Sequence, residues 1–457
     1  MQTEVKIHLQ FVPFSNLLNW SVQYMLETKF SYTEKYPLVE IGSFLKRNKT
    51  GVDIEDDKEY KRVTIKINNG GVFLRDIEKG KNIGTKKQFV VSEGQFLLSK
   101  IDARNGAFGV VSREVDGAVI TGNFWTFDVD YSIINPHFLS LITTTSEFIK
   151  FSENASNGTT NRHYLQEHLF LAQKIPLPPL TEQTRIVENY NTKLKEAKVL
   201  EEQVRNLEVG IEKYLFDSLD IEVSYKPTNV GKLFFVNYVN IRKWGINKIF
   251  ESSNQPSAKY GIYSFEKRLE LFREIIRGKS PKYSNQSQNI ILNQKCNRWN
   301  EIDLSHTKTV DHNWLRSLNE NHFTQIGDIL INSTGEGTIG RASTIMEGFT
   351  NLMYDSHILL LRVNTDFIYP DFFTLLFNSS YGQQQVNSIK SAQATKQTEL
   401  GIGNLQKIKL PLPPLSVQNE IANHIQEKRE QVKNLKQGAE MKRRNAITEF
   451  EKEILNI

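Results

Sequence analysis

KIPLPPLTEQTRI, residues 174–186, returns as KLPLPPLSVQNEI, residues 409–421, with eight of thirteen positions identical. A reused linker would repeat alone, so the flanks decide what the echo means. LNWSVQYMLET around Trp20 resembles IRKWGINKIFES around Trp244, 224 residues on. EGQFLLSKIDARNGAFGVV from Glu93 has a looser counterpart in IGDILINSTGEGTIGRAST from Ile326, and Gly94 and Gly327 lie 233 residues apart. Thr160 and Leu165 map onto Thr395 and Leu400 at a spacing of 235. Ordered matches with so little drift mean two colinear half-molecules, about residues 11–219 and 235–457.

Within each half the order of elements is the same. Alternating and β-branched runs, RVTIKI, QFVVSEGQFLLSKI and WTFDVD in the first half, IILNQK, GDILINS and SHILLLRV in the second, read as mixed sheet. A helix-like stretch after a proline follows in both, NPHFLSLITTTSEFIKF and YPDFFTLLFNSSYGQQQ. PLPP then leaves the sheet and runs extended, because proline lacks an N–H and fixes φ. A helix begins next, with Thr181 or Ser416 as N-cap and Glu182, Gln183 and Gln418 in the first turn. Apolar residues fall at Tyr190, Leu194, Ala197, Leu200, Val204, Leu207, Ile211 and Tyr214, and again at Ile421, Ile425, Val432, Leu435, Ala439, Ala446 and Phe450. This spacing of three and four gives each helix one apolar stripe. A helix of about 35 residues is about 50 Å long. The two stripes pair most simply as an antiparallel coiled coil, the alternative being that each helix lies on its own globular half. The fold class expected is α/β (α+β): two similar mixed α/β domains, two long helices, and an internal pseudo-twofold duplication.

Composition narrows the function. The chain has 457 residues, 39% of them hydrophobic and 11% aromatic, which suits folded domains and leaves no low-complexity tract. A single cysteine, Cys296, allows no internal disulfide, MQTEVKIHLQ lacks a signal-peptide core, and no apolar run reaches 18 residues. A cytoplasmic protein without membrane contact is expected. A net charge of +5 accommodates a polyanionic partner without requiring one.

With the duplicated PLPPL-[TS]-x-Q motif and helix established, the chain resembles the specificity subunits of type I restriction-modification systems, over almost its whole length. The resemblance implies target-recognition domains at 1–180 and 220–415, a central spacer helix at 181–219 and a C-terminal spacer helix at 416–457. Each domain would read one half of an asymmetric bipartite target in double-stranded DNA. The helix pair would hold the domains apart, set the gap and dock two modification (methyltransferase) subunits, with ATP-dependent translocase/nuclease restriction subunits joining the assembly. S-adenosylmethionine, ATP and Mg²⁺ would then serve the partner subunits, with no cofactor and no catalysis in this chain. A duplicated scaffold without DNA specificity, and a nuclease with an unrecognised site, are the competing readings.

Candidate DNA contacts come from polar and basic loops. Lys100, Arg104 and Asn105 in SKIDARNGAFG, and Ser333, Thr334 and Arg341 in NSTGEGTIGRAS, adjoin glycines that let backbone approach phosphate. The plainer reading is a Gly-rich hairpin with solvated charges. Thr160, Asn161 and Arg162 match Thr395, Lys396 and Gln397 just ahead of the proline motif, as contacts or as a simple turn. Arg277, Lys279 and Lys282 in RGKSPKYSNQSQN offer phosphate contacts or a solvated loop. Arginine, asparagine and glutamine lead among these because they read base edges bidentately. RGKS lacks the P-loop glycine, position 273 being Arg. Cys296, His306, His312 and His322 lack the close pairing of a zinc site. The acidic run Asp53 to Asp57 reads as a solvated turn, and no methyltransferase or dinucleotide-binding signature is present.

Overall fold

The computed structural model describes residues 32–157, 163–221, 258–335, 337–389, 391–392 and 398–456. The Trp20 and Trp244 segments lie outside them. Two compact units emerge, one from the chain up to Leu200 together with Gln437–Ile457, the other from Glu201–Lys436.

The first unit is organised by an antiparallel four-stranded sheet in the order Leu45–Asn48, Phe124–Val129, Phe96–Ser99, Phe108–Val110. Buried Phe96, Phe108, Phe127, Phe138, Phe148 and Phe170 form its core, and burying each ring contributes about 2–3 kcal/mol. The second unit repeats the sheet as Phe272–Arg277, Ile358–Val363, Ile329–Asn332, Ala342–Thr344. Beside these equivalent sheets the units diverge. The first carries a five-stranded sheet in which the hairpin Glu59–Lys66 and Gly71–Lys79 forms one side. The second carries three short strands, Lys308–Thr309, Ile290–Leu292 and Met353–Tyr354.

Each expected single helix after a proline is two helices. Pro136–Ile142 breaks before Ser146–Asn154, and Pro370–Asn378 before Ser380–Ile389. The hydroxyls of Thr143, Thr144 and Thr145 donate to carbonyls three residues back, and Thr145 Oγ1 accepts the Phe148 N–H to start the next helix. Side-chain bonds of this kind compete with the helical ladder. Ser379 Oγ does the same to the Leu376 carbonyl.

The proline motif is partly inside a ladder. Lys174–Pro176 pairs antiparallel with Leu38–Glu40, and Lys409–Pro411 with Ile262–Ser264. The first proline therefore keeps a strand partner, and only the residues after it leave. The long helices then run Leu180–Leu219 and Leu415–Ile454. They start before Thr181 and Ser416, so these residues are not the caps expected of them. Instead, the carbonyls of Pro179 and Pro414 accept the first helical N–H groups, from Glu182 and Gln183 and from Val417 and Gln418. Proline suits this position because a helix's opening residues need no N–H of their own.

Gln183 and Gln418 do more than sit in a first turn. Gln183 is fully buried. Its Nε2 donates to the carbonyls of Pro178 at 2.8 Å and Ile133 at 3.0 Å, and its Oε1 accepts the Asn135 N–H at 2.7 Å. Gln418, equally buried, makes the same three bonds to Pro413, Phe367 and Tyr369, each at 2.8 Å. One amide thus ties the turn before the helix to the loop behind the sheet, satisfying groups that would each cost about 1–3 kcal/mol if buried unpaired. This explains why the motif repeats its glutamine.

Each unit holds a length of both long helices, running antiparallel. In the first, Arg185 meets Glu453, Lys193 meets Glu449, Glu196 meets Lys442, and Leu200 lies over Gly438. In the second, Glu208 pairs with Lys436, and Tyr214 stacks on His424. The ion pairs are exposed, worth about 0–1 kcal/mol each, so they set register more than they stabilise. Buried Ala197 and Ala439, and Val204 and Val432, supply the apolar seam. The helices also enter the cores of the units. Ile186, Val187, Phe450 and Ile454 join the first core, and Leu215, Leu219, Ile421 and Ile425 the second. The first long helix stops at Asp220, whose φ is 52°, with the Ile221 N–H bonded to the Phe216 carbonyl, the pattern of a Schellman cap. Among the described residues no helix is long and apolar enough to cross a membrane.

Candidate nucleic-acid interface

The turn leaving the third strand of each sheet is built by the same backbone bonds. Lys100 N–H donates to the Asn123 carbonyl at 3.0 Å, and its own carbonyl accepts the Leu165 N–H at 2.8 Å. Ser333 N–H donates to the His357 carbonyl at 2.8 Å, and its carbonyl accepts the Leu400 N–H at 2.8 Å. Lys100 and Ser333 are thus structural equivalents, as are Tyr164 and Glu399, the residues preceding those leucines.

In the first unit Lys100, Arg104 and Asn105 share this turn. The Lys100 ammonium lies 5.4 Å from the Tyr164 ring, at the mouth of a concavity of about 570 Å³ that Trp125, Gln166, Glu167 and His168 also line. Behind it, Arg47 donates to the Thr126 carbonyl at 3.0 Å and lies 3.7 Å from Glu167, its guanidinium over Trp125 and Phe127. Burial lowers the Arg47 pKa, and Glu167 opposes that effect. The side of the turn facing the long hairpin is occupied. The carbonyls of Asn105 and Gly106 accept the N–H groups of Asn68 and Asn69 at the hairpin tip. Gly106 has φ 75°, and a Cβ there would stand 2.5 Å from Asn69 Oδ1.

In the second unit Arg277, Ser333 and Thr334 meet. Ser333 is buried, its hydroxyl 3.5 Å from an Arg277 nitrogen, and Thr334 shares a 2.7 Å hydrogen bond with His357 Nδ1. Arg277 also pairs with Glu399. Arg341 stands apart, donating to the Gly337 carbonyl at 2.9 Å with its guanidinium 5.9 Å from the Trp299 ring. Gly337 has φ 81°, and a Cβ there would meet nothing among the described residues within 4 Å. Lys279 forms a backbone bridge to Asp355, and the Lys282 carbonyl accepts the Asp311 N–H. Both lysines are exposed. Asp355 is buried, accepts the His357 N–H at 3.0 Å, and has its carboxyl pKa raised by desolvation.

Thr160, Asn161, Arg162, Thr395, Lys396 and Gln397 lie outside the described residues. Tyr164, Glu399, His357 and Asp355 escaped sequence reasoning. The first two carried a signal, since each stands one residue before a leucine already matched between the halves; the others carried none.

One framework used twice, with different side chains set on the same turn, defines a protein built from two similar but non-identical domains. The chain belongs to the family of the type I restriction modification DNA specificity domain, whose profile matches residues 33–209 and again 266–440. No curated protein matches the chain. Among solved structures, a chain from a study of complex assembly and conformational transition of the type I R-M system aligns with a TM-score of 0.57 at 16% identity, covering 93% of this chain and 98% of that one. The HsdS subunit from Thermoanaerobacter tengcongensis aligns at 0.45 and 15%, covering 94% and 99%. The S subunit of the type I system of M. genitalium aligns at 0.45 and 13%, covering 94% and 98%.

Proposed function

We propose that each unit of this specificity subunit reads one half of an asymmetric, bipartite site in double-stranded DNA, and that the paired long helices set the number of unread base pairs between the halves. The observation that carries this reading is the coexistence of a repeated framework with unlike turns and unlike second sheets. Identical readers would favour a palindrome; readers of one build and different surface favour two different half-sites. A helix of 40 residues is about 60 Å long, more than one turn of B-DNA at roughly 34–36 Å.

In this reading the chain carries no chemistry of its own. Methyl transfer from S-adenosylmethionine belongs to two modification subunits docked on the helix pair, and ATP- and Mg²⁺-dependent restriction to further subunits. Lys100, Arg104, Asn105, Arg277, Lys279, Lys282, Thr334 and Arg341 supply the described DNA contacts. Ser333, being buried, orients Arg277. Thr160, Asn161, Arg162, Thr395, Lys396 and Gln397 complete the set. Methylome sequencing of a host carrying the complex tests this: the expected result is a discontinuous motif with unlike halves, and a palindromic or continuous motif would overturn it.

A further inference from the structure

The position just before Leu165 and Leu400 holds a cation in both units, by different means. In the first, the ring of Tyr164 carries the Lys100 ammonium. In the second, Ser333 stands where Lys100 would be, and the Glu399 carboxylate pairs with Arg277, while the backbone of Glu399 bridges to Thr334. The first turn therefore presents a cation on a neutral support, and the second a cation already compensated. The Arg277 and Glu399 side chains are 41% and 20% exposed, so solvent reaches the pair and it is open to exchange.

Resting on the DNA-reading assignment above, we infer that Glu399 is a specificity-determining positioning residue. Its carboxylate occupies the Arg277 guanidinium in the DNA-free protein and yields it to a backbone phosphate only when the rest of the second half-site fits. Carboxylate and phosphate present the same acceptor geometry to a guanidinium fork, so one substitutes for the other without rebuilding the turn. Non-specific DNA, which offers phosphates but no matching base contacts, exchanges one anion for another on Arg277 and leaves the Glu399 carboxylate unpaired with no base contacts to offset it, so binding to wrong sequences is suppressed.

The test uses the full chain assembled with its modification subunits and two duplexes, one bearing the motif found by methylome sequencing and one scrambled, titrated across salt concentrations. E399Q is expected to bind the scrambled duplex about three- to tenfold more tightly, with the slope of log K against log salt steeper by about 0.9, the value of one added phosphate contact. E399D keeps the wild-type slope. In an R277A background E399Q should change neither quantity. The slope belongs to the molecules that bind, so partial loss of folded complex does not alter it. An unchanged slope in E399Q, or the same gain without Arg277, would overturn the inference. Failure of the wild-type complex to prefer the motif duplex would instead overturn the DNA-reading assignment, so the two failures are distinguishable.

Discussion

The four-stranded sheets of the two units agree strand for strand, down to the hydrogen bonds of Lys100 and Ser333, while the sheets beside them share neither strand number nor pairing. The first unit extends a long hairpin whose tip caps the Lys100 turn; in the second, the equivalent turn carries Thr334, which bridges to Glu399. The difference shows where this protein keeps its geometry and where it keeps its variety. The part tied to the long helices is held by repeated, buried contacts that tolerate little change. The part beyond it packs through buried clusters that differ between the units, away from the long helices.

The largest effect should come from exchanging the strands and turns of one unit while leaving both proline motifs and both long helices alone. Replacing residues 45–165 with those of a homologue is expected to change one half of the methylated motif completely and leave the other half intact; change in both halves would break the separation of the units. Deleting seven residues from either long helix should next alter the gap between half-sites in the methylome, with both half-sites kept.

The likeness of the two frameworks can be sharpened by weight. Gln183→Ala and Gln418→Ala each strand one buried and two part-buried polar partners, and each is expected to cost about 1–3 kcal/mol, measured by denaturant unfolding. Equal losses support one bracket used twice, and a loss in only one unit would refute it.

The smallest effect separates the helix starts. Glu182 accepts from Arg185, which together with Tyr36 and Lys35 holds its carboxyl down to about 2 from the usual 4.5. Because the folded pKa is depressed, this contribution is complete above about pH 4.5 and lost as the pH falls toward 2. Val417 stands at the equivalent place in the second unit. Hydrogen exchange on acidification should therefore loosen residues 180–190 before 415–425, and Glu182→Gln should remove that difference.

Much of this was legible without coordinates. The repeat, the extended prolines and the helix stripes follow from periodicity and the backbone limits of proline, which act locally and so leave a trace in the chain. The strands read from RVTIKI, QFLLS and SHILLLRV lie where expected, because alternation reports burial on a pleated surface. The split of each post-proline helix was hidden, since Thr143 to Thr145 suit a helix or its interruption and only their carbonyl partners decide.

What the sequence by itself determined is the duplication, and with it two frameworks and two long helices. Tertiary structure alone decided what the glutamine of the motif is for, which strand pairs with its lysine, and that Lys100 rests on an aromatic ring while Arg277 meets a carboxylate. Those facts depend on groups brought together from 50 to more than 120 residues away, and distance along a chain carries no record of which distant partner closes a buried hydrogen bond or neutralises a charge.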